Sequence, residues 1–192
     1  MCVVLCIPLV FSRKFQQADL NTIVQQSIQL PEEQRLDFIL QELNKKYGTT
    51  TRPNFHLFNG GGAFGIIGLV YASLNEYLII FGSVLPNGGH SGRYFLNFSD
   101  FVYRGKITIA SPKELEGREV KEGQATYMAW GDAHHYTLDK NTWMVEHAHG
   151  LTISGLPIMI ASIFTTTDIV AIGYLVFDYV KHVVKSLIET IF

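Results

Sequence analysis

Apolar residues recur along this chain with two different periods, and the change from one to the other outlines the fold. In PEEQRLDFILQELNKKYG, residues 31–48, Leu36, Leu40, Leu43 and Tyr47 fall three or four apart, which aligns them on one face of an α-helix. Pro31 suits a first helical position, and Lys45, Lys46 and Gly48 close the helix. Its acidic first turn and basic last turn complement the helix dipole. The helical pattern covers residues 15–48. From residue 77 to 150 the period is two. YLIIFG sets Tyr77, Ile79 and Phe81 on one face and Leu78 and Ile80 on the other, a strand covered on both sides. QATYMAW brings Thr126, Met128 and Trp130 together, and TWMVEHA brings Thr142, Met144 and Glu146 together. The polar stretch GDAHHYTLDK connects those two strands, and SPKELEGREVKEGQ is a solvated loop or hairpin. YFLNFSDFVY, which carries Asp100, fits either strand or helix. Several short strands with turns between them predict a small barrel or sandwich.

After Gly150 the helical period returns. Residues 151–167 carry no charged side chain, and Asp168 ends that run. Beyond it Ile169, Ile172, Val176, Val180, Val183, Leu187 and Ile191 form one stripe, with Asp178, Lys181, Lys185 and Glu189 towards the other side. Two apolar C-terminal helices over residues 151–192 are expected to cover the open end of a barrel, to lie on a bilayer, or both. The N-terminal MCVVLCIPLVF is too short to cross a membrane, which takes about 20 residues. Residues 1–12 therefore read as a membrane-contacting segment or a shortened anchor, and residues 13–192 as one domain.

Composition narrows the chemistry. A net charge of −2 over 192 residues, with scattered Lys and Arg, lacks the basic footprint that nucleic-acid binding needs. The two cysteines, Cys2 and Cys6, offer neither a disulfide framework nor a CxxC metal site. NGGGAFG formally satisfies GxGxxG at Gly60, Gly62 and Gly65. The dinucleotide reading fails because the following strand, EYLIIFGS, ends without an acid for the ribose. These glycines instead permit close backbone packing. His147 and His149 share a strand face, with His134 and His135 nearby, but alternation sends Glu146 to the opposite face, so no metal site is expected. The residue that stands out is Glu146, a carboxylate in NTWMVEHAHG on the same side as Met144.

The segments ASLNEYLIIFG, GGHSGRY, TYMAWG, NTWMVEHAHG and FTTTD occur in an order that resembles the family of the sigma-1 receptor and the fungal delta-8 to delta-7 sterol isomerases, from about residue 15 to the C-terminus. GHSGRY and NTWMVE look closer to the receptor. The resemblance implies an α+β fold: a cupin-like β-barrel around an occluded site, N-terminal helices, and two C-terminal helices against the endoplasmic reticulum membrane. It also implies an N-terminal anchor and a homotrimer. By the same resemblance Glu146 is the acid that meets a ligand's ammonium and Asp100 shares a proton with it. Tyr77, Ile79, Phe81, Tyr94 and Trp130 match the pocket wall, and Met128 lies on the strand face of Trp130. Asn97 stands where family members tend to carry an acid, and His149 where they carry arginine. These departures favour binding of a sterol or amphiphilic amine over catalysis.

Moving a ring double bond by one position requires one carbon to gain a proton and another to lose one, with a cation held between. Two close carboxyls supply a donor and an acceptor, because burial keeps one of them protonated. Glu146 paired with Asp100, or with Glu76, meets that need without a cofactor. A ligand ammonium resembles the cationic intermediate, so the same residues fit an enzyme and a receptor.

Overall fold

The computed structural model describes residues 13–191, so the apolar N-terminal stretch, residues 1–12, lies outside the described residues. Two helices come first, α1 (Gln17–Ser27) and α2 (Glu32–Tyr47). Ten strands follow: β1 (Phe55–Gly60), β2 (Ala63–Ala72), β3 (Glu76–Ser83), β4 (Asn87–His90), β5 (Leu96–Arg104), β6 (Lys106–Ala110), β7 (Arg118–Lys121), β8 (Ala125–Met128), β9 (His135–Leu138) and β10 (Thr142–Gly150). A short 3-10 turn (Thr152–Gly155) leads into α3 (Leu156–Thr166) and α4 (Ile169–Ile191). The strands form two antiparallel sheets, ordered β1-β2-β3-β10-β5-β8 and β4-β9-β6-β7. They face each other around a shared interior in which Ile79, Phe81 and Met144 of the first meet Ile107, Ile109 and Leu138 of the second. The layout is α+β and cupin-like, with the barrel built from two facing sheets whose ladders do not join.

The outer face of the larger sheet is closed by the N-terminal helices. Leu20, Ile23 and Val24 of α1 and Ile39, Leu40 and Leu43 of α2 pack on Leu78, Ile80 and Val145. Gly48, at φ 65°, ends α2 in the left-handed conformation that glycine adopts without a Cβ penalty. Strand β3 is thus covered on both faces, as its pattern requires. Residues 55–72 are also β structure, which the glycine-rich sequence had hidden. NGGG closes the β1–β2 hairpin, with positive φ at both Gly61 and Gly62, the two-residue turn whose twist suits antiparallel strands. A Cβ on Gly61 would collide with the His90 carbonyl oxygen. YFLNFSDFVY resolves into β5, and the polar GDAHHYTLDK contains β9, which pairs with both β4 and β6.

At the C-terminus, Thr167 ends α3 and the Asp168 carboxylate accepts from the Ala171 N–H at 2.9 Å, capping α4. The stripe on α4 is rotated from the one read in the sequence. Its inward face carries Ile172, Leu175, Tyr179, Val183 and Leu187, whereas Ile169, Val176 and Val180 are exposed. Asp178, expected on the outer side, is buried because Asn54 (3.2 Å) and His56 (3.2 Å) hold its carboxylate.

Glu76, one candidate partner of Glu146, is placed elsewhere. It is 1% exposed beneath the N-terminal segment, accepting from the backbone N–H of Lys14 (2.8 Å) and Phe15 (3.2 Å) and bonded to His147 Nε2 at 2.7 Å. It pins the chain's entry to the sheet and faces away from the interior. Removing it leaves the buried Phe15 N–H and His147 ring, and the part-buried Lys14 N–H, without this partner. Glu76→Ala is expected to lower stability by about 3–5 kcal/mol, the range for breaking a buried pair. Loss of the exposed Lys14–Glu189 contact at 3.9 Å should cost less than about 1 kcal/mol. Chemical denaturation of both variants checks the contrast.

Candidate ligand-binding site

The space between the sheets is a cavity, and strand β10 aims Glu146 into it. Alternation sends Met144 and Glu146 inward, while Val145 packs against the N-terminal helices and His147 turns outward to Glu76. Glu146 is flanked by Ile79 on β3 and Asp100 on β5 in the hydrogen-bonded register. Directly opposed residues on neighbouring strands hold their Cβ atoms about 5 Å apart. The two acids therefore confront each other across a single strand pair. Tyr77, two residues before Ile79 on the same face of β3, donates its hydroxyl to Glu146 Oε1 at 2.7 Å.

The surroundings are mostly apolar. Ile79, Phe81, Met128, Met144 and Ile107 line the walls, and Leu156 and Met159 of α3 and Leu175 of α4 close one end. Burial drives the Glu146 carboxyl up to about 7, against a partly opposing hydrogen bond from Tyr77. Asp100 is raised well above the usual carboxylate range, first by burial and then by the charge of Glu146. Two such groups hold a proton between them at neutral pH and titrate as a pair. Asp100 Oδ1 is buried with no hydrogen-bond partner among the described residues. Its strong bias to the protonated form matches the role of proton holder. Burial and the Glu146 charge also push the Tyr77 and Tyr94 hydroxyls up, so both stay protonated.

Of the residues singled out in the sequence, Glu146, Asp100, Tyr77, Ile79, Phe81, Tyr94 and Met128 all border this cavity. Two do not. Glu76 lies behind the sheet and cannot share a proton with Glu146. Trp130 lies outside because β8 ends at Met128, so the alternation that would have turned its side chain inward stops two residues short. It is 59% exposed and packs on Phe95, with ring centroids 5.3 Å apart. Asn97 also faces away, accepting from Tyr127 Oη (2.9 Å) and the Trp130 N–H (3.0 Å). Its lack of charge therefore has no direct bearing on the chemistry of the cavity. The sequence reading missed Tyr136, Thr126, Ser91 and His134, which add polar groups to the lining. Thr126 shares the strand face of Met128 and was available to pattern reasoning. Tyr136 and His134 belong to the unrecognised β9 region.

A family model described as ERG2 and Sigma1 receptor like protein matches residues 2–190. The protein erg2 homolog of Dictyostelium discoideum is 35% identical over 172 residues, covering 88% of this chain and 74% of that protein. Sigma non-opioid intracellular receptor 1 of Gallus gallus is 30% identical over 181 residues, covering 88% and 78%. Among solved structures, an RmlC-like cupin from Shewanella frigidimarina aligns with 52% of this chain and 85% of its own, with a TM-score of 0.43 at 7% identity. The polyketide cyclase RemF from Streptomyces resistomycificus aligns with 52% and 74%, with a TM-score of 0.44 at 12% identity. With a family match spanning nearly the whole length and relatives of both kinds at similar identity, the chain belongs to the ERG2 and Sigma1 receptor like family.

Proposed function

We propose that this protein binds an amphiphilic amine or a sterol inside the double-sheet cavity, with Glu146 as counter-charge to a ligand ammonium. The observation that carries the reading is the pairing of Glu146 with Asp100 inside an apolar enclosure. A cation entering there draws the remaining charge onto Glu146 and leaves the proton on Asp100. Tyr77 fixes the Glu146 carboxylate in place, and the apolar walls hold the hydrocarbon body of the ligand. The same pairing supports a second reading, a delta-8 to delta-7 sterol isomerase. In that reading the protonated acid of the pair donates to one ring carbon while the ionised acid removes a proton from another. Incubation with a delta-8 sterol in deuterated water separates the two. A deuterium-labelled delta-7 product establishes catalysis, and its absence with retained binding supports the receptor reading.

Membrane association at the endoplasmic reticulum and a homotrimeric assembly belong to the same proposal. Among the described residues no helix is long and apolar enough to cross a membrane. The outer surface of α3 and α4 nevertheless exposes Phe164 (83%), Val170 (67%) and Phe177 (65%). An apolar face of that kind on an amphipathic helix suits a bilayer surface.

Charge at Glu146 is the first thing to test. Glu146→Gln keeps the shape and removes the counter-charge, so a tertiary amine is expected to lose on the order of a hundredfold in affinity or more. A neutral sterol of similar size should lose far less, and Asp100→Asn should be milder for the amine. Equal losses for both ligands in Glu146→Gln would mean that the acid is structural.

Protonation gives a second test. The Glu146 pKa rises from 4.5 to about 7 on folding, so its contribution to the stability of the empty protein is present below pH 4.5 and is lost as pH climbs through about 7. Asp100, also raised, acts in the same direction. Stability is expected to fall by on the order of 3 kcal/mol between pH 4.5 and 8, and Glu146→Gln should flatten much of that slope. Amine affinity should run the other way, tightening as Glu146 ionises. Denaturation and binding measured across this pH range check both signs.

A further inference from the structure

We propose that Tyr179 and Thr152 form a second polar contact in this cavity, one that favours a ligand hydroxyl over a carbonyl at the same position. The inference rests on the ligand-binding reading above and concerns which neutral ligands the cavity prefers. Thr152 Oγ1 lies 2.9 Å from the Ser73 carbonyl oxygen, 2.9 Å from the Leu74 carbonyl oxygen and 2.7 Å from Tyr179 Oη. A threonine hydroxyl has one proton, and carbonyl oxygens only accept. With that proton committed to a carbonyl, Thr152 meets Tyr179 as an acceptor, and the Tyr179 proton is spent on Thr152. The phenol oxygen keeps its acceptor capacity, and both residues border the cavity.

Phe58, Met159 and Leu175 line the same cavity, and an acceptor exposed to apolar lining is satisfied only by a donor. A ligand O–H can supply one. A ketone at the same place sets one acceptor oxygen against another. The location also matters. Thr152 grips the turn between β2 and β3, beyond the Glu76 end of β3, whereas Glu146 lies opposite Ile79. Thr152 and Tyr179 meet at the β2–β3 turn, whereas the Glu146 carboxyl is held beside Tyr77 and Asp100, so an elongated, rigid, apolar molecule with a hydroxyl at one end can reach Tyr179 while its body extends towards Glu146. That is the chemistry of a sterol alcohol and not of the corresponding 3-ketone.

The Thr152–Tyr179 bond also ties α4 to the turn, so the test must separate recognition from support. Affinities of a sterol alcohol and its 3-ketone are measured on the full chain, with a tertiary amine as the control that the cavity is competent. Wild type is expected to prefer the alcohol by about three- to tenfold. Tyr179→Phe, which keeps the ring, should bring the ratio near one. Thr152→Val frees the Tyr179 proton to point inward and should shift preference towards the ketone. The ratio is the readout, because a purely structural loss weakens both ligands alike and leaves it unchanged. Equal binding of alcohol and ketone by wild type, or an unchanged ratio in the variants, overturns the inference while amine binding leaves the broader reading standing. Failure of wild type to bind the amine or either sterol overturns both.

Discussion

The arrangement depends on two carboxyl groups being forced to face each other in a buried, mostly apolar enclosure. Glu146 and Asp100 occupy opposed positions on adjacent strands, and the enclosing sheets deny both the solvation that would let them ionise freely. The energetic consequence is a shared proton. The surroundings keep the pair buried and oriented: Tyr77 holds one oxygen, the second sheet supplies the facing wall, and the C-terminal helices close the end. In bulk water the same two acids would be ordinary carboxylates with no special affinity for a hydrophobic cation.

The neighbouring strand positions show how face decides role. Glu146 and His147 are adjacent in sequence, yet one faces the cavity and the other contacts Glu76 beneath the N-terminal segment. Glu76 is as buried as an acid can be, and it is satisfied by three donors fixed by the fold. Asp178 is buried as well, tying α4 to the start of β1 through Asn54 and His56. Among the described acids only the Glu146–Asp100 pair combines burial with incomplete satisfaction and an open space in front of it. That combination distinguishes a site from a structural support.

Period-two alternation made the inward set on β3 and β10 legible, because both strands are long and covered on both faces. Asp100 entered through family resemblance, since YFLNFSDFVY alone did not choose between strand and helix. Alternation failed at Trp130 because it assumes that a strand continues, and β8 stops at Met128. The first hairpin was obscured by glycines that serve a tight turn, and β9 by the polar residues around its two core-packed side chains, Tyr136 and Leu138. Asp178 was misplaced because its burial depends on Asn54 and His56, more than 120 residues away, which a helical wheel does not contain.

The central claim is that the empty cavity keeps a proton on its acid pair and that a cationic ligand turns Glu146 into its counter-ion. Infrared difference spectroscopy on amine binding slightly below neutral pH reads this directly. The account predicts that a protonated carboxyl band is lost and a carboxylate band gained, with the change absent in Glu146→Gln. Amine binding with no change in the carboxyl region, or the same change in Glu146→Gln, would contradict it.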